Sequence, residues 1–183
     1  MRHPLIELVD LVILGLYPQD WRFARMTFSI EHFPDSRGAL RPLFALADDS
    51  PTEIDRYLAL GEVLVARLAQ DIVGHVQLIA AGPTWEIKSL AVMDQQQRQG
   101  IGAALVRAAL DRAFAAGASR VVVATAAADI ANLRFYQRLG FRMDRIERDV
   151  FTTARGYPSQ EVDGIPIRDQ VWFSITSHRV VPT

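Results

Sequence analysis

The stretch Gln97-Arg98-Gln99-Gly100-Ile101-Gly102-Ala103 decides how the chain is read. It stands between a strand-like run, Trp85 to Val92, and a run from Ile101 to Ala116 whose apolar residues recur at helical spacing. A glycine-containing turn from strand to helix points several backbone N–H groups the same way, at the positive end of the helix dipole. That makes an anion site, suited to a pyrophosphate. Glycine belongs where a side chain would block close approach of the ligand. A dinucleotide fingerprint would need a third glycine where Leu105 stands, and a triphosphate loop would need Gly-Lys-Ser/Thr; both are missing.

Outward from this turn, periodicity predicts strands over Thr27 to Phe33, Glu62 to Leu68, Ile72 to Ala80, Trp85 to Val92, Arg120 to Ala124, Phe141 to Glu147 and Val171 to Thr176. Helices are expected over Ser36 to Ala47, from the capping box Ser50-Pro51-Thr52-Glu53 to Leu60, over Ile101 to Ala116, and from Asp129 to Leu139. Asp149 to Asp169 reads as loop. Hairpin strands come first and crossover helices later, and the valine-rich Arg120 to Ala124 run fits a strand buried on both faces. The expected fold is α/β, with a mixed, mostly antiparallel central sheet and helices on both faces.

The chain has 183 residues, half of them hydrophobic and 22% charged, with a formal net charge of -1. One domain with a real core is expected. Near-neutral charge gives no reason to expect nucleic acid or an anionic membrane as partner. With no cysteine, disulfides, cysteine-ligated zinc and a covalent thioester on the protein are excluded, no metal is expected, and a reducing cytoplasm is the default location. Lys88 is the only lysine, which we attribute to codon usage. The apolar run from Leu5 to Leu16 carries Glu7 and Asp10, is too short to span a bilayer, and reads as a short amphipathic helix. Met26 directly precedes the first convincing strand, so residues 1–25 read as an extension of uncertain status and 26–183 as the domain.

Gln97, Gly100 and Gly102 match the Gln/Arg-x-x-Gly-x-Gly/Ala pattern of the GNAT superfamily of acyl-CoA-dependent N-acetyltransferases. Downstream, Asn132-Leu133-Arg134-Phe135-Tyr136-Gln137-Arg138-Leu139-Gly140-Phe141 resembles that family's Asn-x-x-x-Phe-Tyr-x-x-x-Gly-Phe helix. The resemblance spans about Thr27 to Ile175. It implies acetyl-CoA as cosubstrate, with its pyrophosphate on the backbone of Arg98, Gln99, Gly100, Ile101, Gly102 and Ala103. It also implies a pantetheine arm beside Leu90, Ala91 and Val92, in a slot where that strand and the Arg120 to Ala124 strand splay apart. A backbone N–H near Val92 would polarise the thioester carbonyl.

Acetyl transfer to an amine poses two proton problems: the amine must lose a proton, and the leaving thiolate benefits from gaining one. Tyr136, four residues from Asn132 and on the same helix face, is the candidate donor to the sulfur; Asn132 is placed by the resemblance near the CoA arm. Glu86 is the candidate base, at the point on its strand where related histone acetyltransferases carry a glutamate; water alone is the alternative. His75 is a second-choice base, and a satisfied structural histidine is the favoured reading of it. No Ser-His-Asp set is visible, so direct attack in a ternary complex is expected. The acceptor would be a small-molecule or peptide amine. Asp48, Asp49, Glu53 and Asp55 have two explanations: attraction of a cationic amine, or capping and helix-start electrostatics. The segment Asp149 to Asp169, with Phe151, Tyr157 and Pro158, would either wall the acceptor site or form a homodimer contact. The competing function is a non-catalytic acyl-CoA-binding sensor or scaffold.

Overall fold

The computed structural model describes residues 27–177; the extension at 1–25 and its apolar run lie outside the described residues. Strand β1 (Phe28–His32) leads through a 3-10 turn into helices α1 (Arg41–Phe44) and α2 (Pro51–Tyr57). Strands β2 (Glu62–Leu68), β3 (Asp71–Ala81) and β4 (Thr84–Val92) follow as a meander. Then come α3 (Ile101–Ala115), β5 (Arg120–Ala126), α4 (Ile130–Arg138), β6 (Arg142–Glu147), a small hairpin of β7 (Glu161–Val162) and β8 (Ile165–Pro166), and β9 (Gln170–Thr176).

Seven strands form one sheet in the order β1-β2-β3-β4-β5-β9-β6. Neighbours pair antiparallel except β4 and β5, which are parallel. The mixed, mostly antiparallel sheet expected from the chain is therefore present. Strand residues alternate between its faces. Val63 and Val65 pack with Leu40, Phe44, Ile54 and Tyr57 of the α1–α2 region, whereas Leu64 and Ala66 join Leu105, Val106 and Ala109 of α3. Tyr136 of α4 shares the α3 side, so the two helix pairs cover opposite faces.

Two expectations need correction. The helix expected over Ser36 to Ala47 is a 3-10 turn over Arg37–Leu40 followed by the single turn of α1. Pro42, the second residue of α1, has no N–H and its ring crowds the carbonyl four residues back, so no α-helix runs through it from Ser36. The 149–169 segment is not wholly loop. Asp163 and Gly164 both take positive φ, 52° and 76°, and turn the β7–β8 hairpin, as Asp-Gly does in a two-residue primed turn.

The feature that places the site is a parting of strands. β4 and β5 pair only from Thr84 to Ile87 and from Arg120 to Val123. Against β3, Gln77 faces Ser89 but Leu78 faces Ile87, so Lys88 is the extra residue of a β-bulge. Beyond it β4 stays with β3 and β5 stays with β9, leaving a gap between them.

Candidate active site

At the donor end, Arg98 and Gly100 both take left-handed backbone, with φ of 61° and 84°. A Cβ on Gly100 would meet nothing within 4 Å, so conformation asks for glycine there, and the space before it is open. The first α3 bond runs from Ala104 N–H to the Gly100 carbonyl at 3.0 Å. The N–H groups of Ile101, Gly102 and Ala103 therefore precede the helical ladder and have no partner within it. The two glutamine side chains turn back onto their own loop. The Gln97 amide donates to the Val92 carbonyl at 3.1 Å and to Asp94 Oδ1 at 3.0 Å, tying the turn to the end of β4. The Gln99 amide donates to the Gln95 carbonyl and to Gln96 Oε1. An anion here would thus meet backbone rather than these side chains. A Cβ on Gly102 would lie 3.6 Å from Phe135 and 3.7 Å from Val92, so the start of α3 rests on α4 and on β4. Leu90, Ala91 and Val92 are held from behind by Val76, His75 and Gly74 of β3. The fit to an extended diphosphate-bearing ligand is good: free N–H groups, an open glycine and a gap between strands stand side by side.

Asp129 caps α4, accepting from the Asn132 N–H at 2.9 Å and from Asn132 Nδ2 at 2.7 Å, which fixes the asparagine and leaves its amide oxygen out of that pair. One turn on, Tyr136 is buried against Phe135, Phe141 and Phe173, with ring centroids 5.1 to 5.8 Å away. Burial and the Asp129 carboxylate push its phenol well above the usual range, so it stays protonated.

A cavity of about 400 Å³ opens where the strands part. Its walls include Glu86, Ile87 and Lys88 of β4, Ala124, Thr125 and Ala126 of β5, and Asn132 of α4. Asp48 and Asp49 close one side, and Phe151, Tyr157 and Pro158 of the 149–169 segment close another. A second recess of about 650 Å³ shares Lys88, Tyr157, Gln170 and Trp172 with it. Lys88 Nζ lies 3.5 Å from Glu86 Oε1 and 5.2 Å above the Tyr57 ring. The only lysine, which composition alone assigns to codon usage, is the residue bulged from β4 into the cavity wall.

The fold thus brings Glu86 and Asn132 into one cavity. It keeps the glycine turn and Leu90 to Val92 on the neighbouring stretch of the same β4–α3 unit, and it sets Tyr136 behind the wall rather than in it. His75 is fully buried, stacked on Phe44 at 4.2 Å and 2.8 Å from Ser89 Oγ through Nε2. Burial pushes its pKa down to about 3, so it is a neutral structural group. The four acids divide. Glu53 donates its N–H to the Ser50 cap at 3.3 Å and pairs with Arg56, and Asp55 pairs with Arg41 at 2.6 Å. Only Asp48 and Asp49 of the four line the cavity at the strand gap. Lys88, Tyr57 and Trp172 escaped sequence reasoning. The isolated lysine was the one available signal, since the other two meet the site only through tertiary packing.

The acetyltransferase (GNAT) family pattern matches residues 21–141. The N-acetyltransferase YvbK of Bacillus subtilis strain 168 is 34% identical over 144 residues, covering 78% of this chain and 92% of that protein. The crystal structure of a Bacillus subtilis acetyltransferase in complex with CoA superposes with a TM-score of 0.75 at 30% identity, over 82% of this chain and 99% of that one. A GNAT family acetyltransferase from Elizabethkingia anophelis with acetyl-CoA bound gives 0.77 at 28% identity, over 82% and 98%.

Proposed function

The chain belongs to the GNAT acetyltransferase family, and from that premise we propose that it moves an acetyl group from acetyl-CoA to a primary amine of a small molecule or peptide. The observation that carries this is the cavity at the parting of β4 and β5, with Glu86 and Asn132 on its walls and the free N–H groups of α3 beside it. The backbone of Arg98 to Ala103 holds the pyrophosphate, and Leu90, Ala91 and Val92 flank the pantetheine arm. Asn132 steadies that arm. A cavity carboxylate takes the amine's proton directly or through water, and Glu86 is the candidate that its strand position offers. Tyr136, kept protonated by burial, donates to the departing sulfur. The amine attacks within a ternary complex, because the chain has no cysteine to carry the acetyl group.

Four carboxylates on the walls, Asp48, Asp49, Glu86 and Asp129, against the one ammonium of Lys88 favour a cationic acceptor. Phe151, Tyr157 and Pro158 line this cavity, which supports the reading of the 149–169 segment as acceptor wall. Residues 26–183 act as one catalytic unit, placed in a reducing cytoplasm on the lack of cysteine. No helix among the described residues is long and apolar enough to cross a membrane.

CoA release measured across amines, peptides and aminoglycosides tests the proposal. Turnover on at least one amine is the expected result. The second reading, an acyl-CoA-binding sensor, draws on the burial of Tyr136 behind the cavity wall. Acetyl-CoA binding with no turnover on any amine would establish it instead.

A further inference from the structure

Glu86 shares its cavity with a carboxylate in a different setting. Asp48 stands between α1 and α2. Its Oδ1 accepts the Ser50 N–H at 2.9 Å and its Oδ2 accepts the Tyr57 hydroxyl at 3.2 Å. Tyr157, from the 149–169 segment, lines the same cavity as this carboxylate. A loop residue held by hydrogen bonds from the cap and the last turn of α2 has a fixed position, as a group that must meet a substrate atom requires. Glu86, by contrast, has the Lys88 ammonium 3.5 Å away.

We propose that Asp48 is the residue that binds the acceptor's ammonium and takes its proton, that Tyr57 positions it, and that Glu86 serves chiefly as the partner of Lys88. This rests on the amine-acetyltransferase function proposed above and names the carboxylate that carries it out. The acceptor's R–NH₃⁺ gives one proton to the Asp48 carboxylate. The freed lone pair attacks the thioester carbonyl, a C–N bond forms and the C–S bond breaks. Tyr136 gives its proton to the sulfur, which departs as CoA thiol, and the second nitrogen proton restores the phenol; the protonated Asp48 loses its proton to water as the amide departs.

The groups around Asp48 agree with this role. Burial has the largest effect and raises its proton affinity above that of an ordinary aspartate. The Ser50 N–H, the Tyr57 hydroxyl and the Lys88 ammonium oppose that rise, and Glu53 of α2 adds to it. Inward, Tyr57 also meets Ser89, and Ser89 meets His75 Nε2 at 2.8 Å. That line ends on a histidine whose pKa is pushed down to about 3, so it drains no proton and Asp48 returns its own to solvent.

The test is the pH profile of kcat/KM, taken with whichever of 2-phenylethylamine, spermidine or a lysine-containing tripeptide is turned over fastest. Asp48→Asn keeps a carbonyl for the Ser50 N–H, so the loop should hold and the melting temperature stay near that of the wild type. It should lower kcat by roughly a hundredfold or more, leave acetyl-CoA affinity unchanged, and abolish the low-pH limb of the profile. Tyr57→Phe removes a hydrogen bond that favours the charged carboxylate, so the limb should move to higher pH. In Glu86→Gln the limb should remain. A limb that survives Asp48→Asn overturns the proposal, whether or not Glu86→Gln removes it. If Asp48→Asn does not fold, an unmoved limb in Tyr57→Phe overturns it. Acetyl-CoA binding with no turnover of any of the three amines overturns the parent function, and this role with it.

Discussion

The two ends of the site are built on different plans. The donor end is a single run of chain: β4, its turn and α3 are consecutive, and Gln97, Gly100 and Gly102 span six residues. Its proposed working groups are backbone N–H donors, and the side chains of Gln97 and Gln99 turn back to brace the loop. The proposed acceptor end gathers side chains from four places: Asp48 after α1, Glu86 and Lys88 on β4, Tyr157 before the β7–β8 hairpin, and Trp172 on β9. A cosubstrate common to a family can be held by backbone geometry, which tolerates change in side chains. An acceptor is held by side chains, so this end is where members of one family can diverge.

The donor end should break most completely. Gly102→Asp sets a negative charge in the first turn of α3, on the side packed against Phe135 and Val92, where it repels a bound pyrophosphate; thermal melting checks that the fold survives. Calorimetry should find acetyl-CoA binding abolished; an unchanged affinity would mean that the turn holds no pyrophosphate. Next in size is Tyr136→Phe, at the seam between the two ends. Turnover should fall about ten- to a thousandfold with little change in acetyl-CoA affinity, as for loss of one acid catalyst. Unaltered turnover would reduce Tyr136 to the aromatic packing it makes with Phe141 and Phe173.

A smaller effect sits beneath the acceptor end. His75 is neutral in the fold, with its pKa below the 6.5 of an exposed histidine. The unfolded chain therefore binds the proton first. Its contribution to stability is whole above about pH 6.5 and is lost as pH falls toward about 3, at roughly 1.4 kcal/mol per pH unit while only the unfolded chain is charged. Urea midpoints across this window should fall for the wild type and fall less steeply for His75→Gln. Parallel slopes would show that other groups carry the acid sensitivity. The smallest expected effect concerns residues 1–25. A chain starting at Met26 should keep both acetyl-CoA affinity and amine turnover, and losing only the second would assign the extension to the acceptor end.

Legibility followed the same division. The strand, glycine turn and helix could be read because their signals lie within one helix and one strand of each other. The Asn132 to Phe141 pattern was equally local. The hairpin at Val162-Asp163-Gly164-Ile165 carried a readable Asp-Gly signal inside a segment taken as loop. Pro42 likewise marked the break that shortened α1. The alliance of Asp48 with Tyr57 and Tyr157 had no such mark. Its members stand 9 and 109 positions from Asp48, and an aspartate before a capped helix is explained without them.

By itself, then, the sequence determined the donor: alternation and helical spacing set the elements, and the order strand, glycine turn, helix set a backbone anion site, because backbone hydrogen bonding is local. Only the tertiary structure shaped the proposed acceptor end. The bulge at Lys88 and the loss of β4–β5 pairing after Ile87 open the cavity, and burial raises the proton affinity of Asp48 on its wall. Strand register, solvent exclusion and long-range side-chain contacts are properties of the packed chain, and no window of sequence contains them.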